Sequence, residues 1–255
     1  MARGLVPARK GSELVDQAGA IARSSELDEV ALQRIAADAR QLMASNAAGA
    51  HTVLGIIATV RGEVALVRKH YRIALDLDQS AVTWFNYSMS LAAVDEHSDA
   101  LAVAREGLER HPDDAALTDR AAEAALESGR FMEAEKLCRR RERLNGEGAY
   151  RWREEVRQLS AAVESGTMTE AGAAEVIELM TKVQREAGAS TVGLDIRHDG
   201  AGAFLYDRYV RCSPKAASEM NWAVTGEVVD REDLHSDPGR AFLVGFVGVA
   251  DASNA

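Results

Sequence analysis

Residues 81–114 read AVTWFNYSMSLAAVDEHSDALAVAREGLERHPDD, and the outline of this stretch recurs on both sides of it. Two short amphipathic segments flank a polar turn, and Pro112 closes the second. Trp84, Tyr87, Ser88 and Leu91 share one face of the first segment at helical spacing. Ala100, Ala104 and Gly107 line the second. Side chains this small let two helix backbones approach, and the aromatic rings fill the space between neighbouring units. One helix pair of this size cannot bury its apolar face alone, so the stretch demands copies of itself alongside. The chain is therefore expected to be a stack of helical hairpins.

The copies are present. Upstream, residues 51–79 carry Leu54-Gly55, a turn glycine at Gly62, the aromatic Tyr71 and the pair Ala74-Leu75. Downstream, residues 115–148 carry Gly129, Phe131 and Ala134 in ESGRFMEAEKLCRR. The first segment of that copy is rich in small residues, with Ala121, Ala122 and Ala125 where bulkier groups stand in the others. The three copies follow one another in one register, with a period of roughly 34 residues.

In spacing and residue type these copies resemble the tetratricopeptide repeat, over about residues 48–148. Asp78-Gln79 stands where that family usually has Asp-Pro. The resemblance implies a helical-hairpin solenoid whose first helices line a concave groove for a peptide or helix of another protein. On the family's register the groove-facing residues are Ile56, Val60, Phe85, Asn86, Met89, Arg120, Glu123 and Leu126. Asn86 and Arg120 stand where the chaperone-tail-binding class uses polar groups to hold a peptide carboxylate. Thr52, Ile56 and Ala116, however, occupy the places where that class needs lysine, asparagine and lysine. A terminal carboxylate would be poorly neutralised, so a hydrophobic segment suits this groove better.

Before the repeats, residues 12–46 read as a divergent capping hairpin, with Ser24-Ser25 breaking two amphipathic runs. After them, residues 149–164 read as one more helix, completing a helical domain at 1–166. Thr167 and Glu170 have the spacing of a capping box for the next helix. Beyond Gly188 the periodicity changes to two: Val192, Leu194 and Ile196 alternate with Gly193, Asp195 and Arg197. The turn His198-Asp199-Gly200 leads to a second strand over 203–211. Ser213-Pro214 opens a helix, and residues 240–249 form the strongest β-run. Residues 167–255 are thus expected to be a small α+β domain in the order helix, strand, strand, helix, strand, giving a mainly α protein with a C-terminal α+β module.

Composition narrows the function classes. The 255 residues carry a formal charge of −10, which argues against a general nucleic-acid or anionic-membrane binder. Aromatic residues make up only 5% while alanine is abundant, favouring close-packed helices. Two cysteines, Cys138 and Cys212, imply no disulfide framework and suit a reducing cytoplasm. The basic residues of MARGLVPARKGSE lead into no apolar segment, so no secretory signal is expected. The longest apolar run, 241–250, is too short to span a bilayer.

No catalytic, metal or cofactor site is assigned. Among His51, His70, His97, His111, His198 and His235 no pair has the i, i+4 spacing of a helical metal site, and His97 and His111 fall in turns expected to be solvated. Cys212 precedes a helix N-terminus, where a thiolate is favoured, and His198 across the hairpin would be the base. Read blandly, Cys212 is a small buried apolar residue. The arginines 139–141, 143, 151, 153 and 157 are interleaved with glutamates, so a salt-bridged face is expected there rather than an RNA-binding stripe.

The expected function is a non-enzymatic adaptor or scaffold that binds a protein partner in the repeat groove. One alternative is a regulatory, antitoxin- or chaperone-like subunit docking a fixed partner through the C-terminal module, whose open sheet edge at 240–249 could also join two copies. The other is an enzyme using Cys212 or the Asp195, Arg197, His198, Asp199 group.

Overall fold

The computed structural model describes residues 6–23, 28–145, 150–200, 202–231 and 242–249. Ser24-Ser25, His235 and the start of the 240–249 run lie outside them. Among the described residues there are eleven helices and one three-stranded sheet, so the chain is mainly helical with a small β-containing C-terminal part. Two compact units are present, residues 1–120 and 121–255.

The first unit holds α1 (Val6–Arg23), α2 (Glu29–Leu42), α3 (Ala47–Val60), α4 (Val64–Leu77), α5 (Ala81–Ala92), α6 (His97–Arg110) and the start of α7 (Ala115–Glu127). The packing repeats: α1 and α2 both lie against α3, as α3 and α4 both lie against α5. Polar side chains start α2, α3 and α5 by accepting otherwise orphaned N–H groups, whereas α4 and α6 have no side-chain cap. Asp28 accepts from Ala31, Asn46 from Gly49 and Ser80 from Thr83.

The turns that follow α3, α5 and α7 close in the same way. Gly62, Asp95 and Gly129 all have φ between 60° and 71°, the left-handed region. The following residue donates its N–H back into the first helix: Glu63 to Ala58, Glu96 to Leu91 and Arg130 to Ala125. These are Schellman closures, and they satisfy carbonyls the helix leaves open. Asp95 does the work of a glycine in the second hairpin, so its turn is not marked by the residue that marks the other two. His97, expected in solvent, is instead buried beside Asp95 at the start of α6.

Small residues set how closely the helices pack. A Cβ added at Gly55 would lie 2.6 Å from Cε2 of Tyr71, and one at Gly107 would lie 2.8 Å from Cβ of Trp84. Tyr71 is fully buried, stacks on Tyr87 with centroids 5.0 Å apart, and accepts a hydrogen bond from Ser90. Ser88 donates to the carbonyl of Ala100 at 2.9 Å, tying α5 to α6.

The second unit holds the rest of α7, α8 (Phe131–Asn145), α9 (Arg153–Glu164), α10 (Glu170–Glu186), β1 (Thr191–His198), β2 (Phe204–Val210), α11 (Pro214–Val229) and β3 (Phe242–Gly248). The sheet order is β1-β2-β3, with β1 antiparallel and β3 parallel to the central β2. Strict alternation buries Phe204, Tyr206, Arg208 and Val210 on one face of β2. Phe242 joins this layer, with its ring 5.7 Å from Tyr206 and 5.6 Å from Phe131 of α8.

The capping box expected from Thr167 and Glu170 does not form. Thr169 caps α10 by accepting from Gly172, and the Glu170 carboxylate accepts the Met132 N–H at 2.7 Å, capping α8 instead. The competing donor is a free N–H at another helix start, supplied by tertiary packing. Ser213 and Pro214 open α11 as expected, with Ser213 accepting from Ala216.

Candidate functional site

Helix α5 has two faces of different exposure. Thr83, Trp84, Tyr87, Ser88 and Leu91 face inward. The opposite face carries Val82, 67% exposed, half-buried Phe85 and Asn86, and Met89, 40% exposed. Val82, Phe85 and Met89 stand at i, i+3 and i+7, so they form one apolar stripe on one side of the helix. Arg120 of α7 donates Nη1 to the Met89 sulfur at 3.3 Å, which places the guanidinium at one end of the stripe.

The other groove candidates are placed differently. Val60 is half-buried and Ile56 buried on α3. Arg120 is 3% exposed and Leu126 is 0% exposed, so both are interior groups. Ala121, Ala122, Ala124 and Ala125 of the same helix are buried as well. Glu123 belongs to the second unit and accepts from Arg151 at 3.0 Å. The residues gathered on one free face are therefore Phe85, Asn86 and Met89, together with Val82, which the family's register had not singled out.

The proposed thiol–imidazole pair is not assembled. His198 pairs with Phe204 at one end of the hairpin, while Cys212 follows Val210 at the other, beyond roughly 20 Å of strand. Burial pushes the Cys212 thiol above its ordinary range, with a hydrogen bond from the Ala217 backbone working against that shift. The thiolate alternative is thereby disfavoured.

His51 and His70 do meet. Their Nδ1 atoms are 2.9 Å apart across the α3–α4 hairpin, so one ring donates and the other accepts. Burial lowers the pKa of both; Lys69 adds to the effect on His51, and His51, Lys69 and Arg40 add to it on His70. A separation of 19 residues is not a motif spacing, and only the hairpin brings the two together. Among the described residues no group of three or more histidine, cysteine or carboxylate side chains is placed to hold a metal ion.

The arginine-rich helices are locked internally. Glu135 takes Arg139 at 2.7 Å and also Arg153, which reaches Glu142 at 2.5 Å. Arg157 and Gln158 hold the Glu154 carboxyl down at about 2. Arg208, missed in the sequence, is the one ion on the inner face of β2. It is 1% exposed, with Nη1 bonded to Thr181 and Gln184 and Nη2 unbonded. The signal was available: a charge on the inward phase of the Phe204–Val210 alternation.

Among the described residues no helix is long and apolar enough to cross a membrane. Comparison with protein-family models, with curated proteins and with solved structures finds no match to this chain.

Proposed function

We propose that the chain is a non-enzymatic scaffold that binds a segment of another protein along the free face of α5. The observation that carries this reading is the Val82–Phe85–Met89 stripe, exposed at Val82 and Met89 and half-buried at Phe85, with Asn86 beside it. Three apolar groups at i, i+3 and i+7 match the face of an amphipathic helix or an extended apolar segment, and Asn86 can fix its direction by hydrogen bonding. The repeated hairpin closure at Gly62, Asp95 and Gly129 supports reading these units as tetratricopeptide-like. A cytoplasmic setting fits two cysteines that form no disulfide, one of them buried.

The test uses the intact chain and a Phe85→Glu, Met89→Glu double variant as baits in extracts of the native host. The expected result is a stoichiometric partner on the intact chain that is lost from the variant, with helicity unchanged. The purified partner should then bind the intact chain and not the variant in calorimetry. A partner kept by the variant but lost on truncation after Gly188 would refute the reading and move binding to the C-terminal elements.

A further inference from the structure

The two edges of the sheet are finished differently. Backbone groups alternate sides along a strand, so every second residue of an edge strand turns its N–H and C=O away from its neighbour. In β3 Val249 donates to Val210 across the β2 side, which leaves Phe242, Val244, Phe246 and Gly248 facing outward. In the middle of that set Asn221 of α11 reaches over the edge. Its Nδ2 donates to the Phe246 carbonyl at 3.0 Å and its Oδ1 accepts from the Phe246 N–H at 2.7 Å. An amide so placed imitates the facing residue of another strand and closes the centre of β3 to pairing.

Among the described residues the edge of β1 carries no such cover. Asp199 donates to Ala203, which sets the phase of the ladder. Gly193, Asp195 and Arg197 turn toward β2, and Leu194, Ile196 and His198 turn outward. The backbone groups of these three residues have no hydrogen-bond partner among the described residues. The strand contains no proline, and its irregularity lies at the Thr191–Gly193 end.

Charge placement says what fits this edge. Asp195 and Arg197 lie on the sheet face away from Ile196, two residues apart and opposite in sign. Arg197 meets Asp195 at 3.0 Å and also reaches Asp207, so one guanidinium serves two carboxylates. A second β1 laid antiparallel, with the two-fold axis at Ile196, would bring the second copy's Arg197 opposite Asp195, and the reverse. The outward residues would then face one another as Leu194 to His198 and Ile196 to Ile196, giving about six backbone hydrogen bonds, two for each facing pair. Moving the axis by one residue, to Asp195 or to Arg197, would set like charges against each other, which disfavours slippage.

We propose that β1 is a self-pairing edge: two copies of the chain join β1 to β1 antiparallel about Ile196, held in register by reciprocal Asp195–Arg197 ion pairs. This is independent of the groove on α5.

The full-length chain, Arg197→Asp and Asp195→Arg are compared by sedimentation velocity over a concentration series. The wild type is expected to pass from one to two chain masses. Each single variant should associate at least about tenfold more weakly, because it opposes like charges. An equimolar mixture of the two variants should dimerise, since one presents two carboxylates and the other two guanidinium groups; this excludes misfolding as the cause of the loss. A wild type that stays monomeric, or one that pairs only with a foreign segment, overturns the proposal. So do single variants that dimerise like the wild type, and a mixture that stays monomeric.

Discussion

Gly55 and Gly226 both sit inside helices, yet the same change to alanine is expected to act on them with opposite sign. Alanine is favoured over glycine in a helix by about 0.8–1 kcal/mol because it restricts the unfolded backbone. At Gly226 nothing lies within 4 Å of the added Cβ, so Gly226→Ala should stabilise by about that amount. At Gly55 the methyl would fall 2.6 Å and 2.8 Å from two ring carbons of Tyr71. That ring cannot retreat: it is fully buried, stacked on Tyr87 and hydrogen-bonded by Ser90. Overpacking of this kind costs about 1–3 kcal/mol, which cancels or exceeds the propensity gain. Gly55→Ala should therefore destabilise by about 1 kcal/mol, putting the two variants about 2 kcal/mol apart. Thermal unfolding followed by circular dichroism reads this as a midpoint difference of roughly 4–8 °C between them. In a Tyr71→Leu background the ring is gone, and Gly55→Ala should become neutral or stabilising. If Gly55→Ala stabilises as much as Gly226→Ala in the native background, the close α3–α4 approach is wrong.

Two further predictions concern titration. His51 and His70 both have folded-state pKa values below the usual 6.5, so the unfolded chain binds more protons than the folded one beneath that pH. Their contribution is complete above pH 6.5 and is lost as pH falls through the lowered folded values. The urea midpoint of the first unit should drop from about pH 7 to about pH 5, and His70→Gln should flatten that slope; an unchanged slope refutes the pairing. Cys212, its thiol raised by burial, should alkylate with iodoacetamide at neutral pH more slowly than an unstructured cysteine peptide. Faster reaction would return it to consideration as a nucleophile.

How much of this was legible in the sequence depends on the range of the interaction responsible. The hairpins were readable because their causes are local: apolar spacing around Trp84, Tyr87 and Leu91, turn glycines at Gly62 and Gly129, and the Ser213-Pro214 start. The alternation of β1 and β2 was readable for the same reason. The Thr167–Glu170 box was misread because the Met132 N–H competes for Glu170 from 38 residues away. The burial of His97 after left-handed Asp95, and of Leu126 and Arg120 on α7, is not legible because nothing in the local spacing reports what covers those positions.

By itself the sequence determined that this chain forms stacked helical hairpins followed by a strand–strand–helix–strand segment, since periodicity, caps and small residues act within a few positions of themselves. Which groups meet is a matter of tertiary structure: His51 with His70, Asn221 across Phe246, Arg208 on the inner face of the sheet, and, among the described residues, a β1 edge without the cover that β3 has at the opposite edge. Those pairings depend on register and on the approach of distant backbones, and neither quantity is carried by the local spacing of residue types.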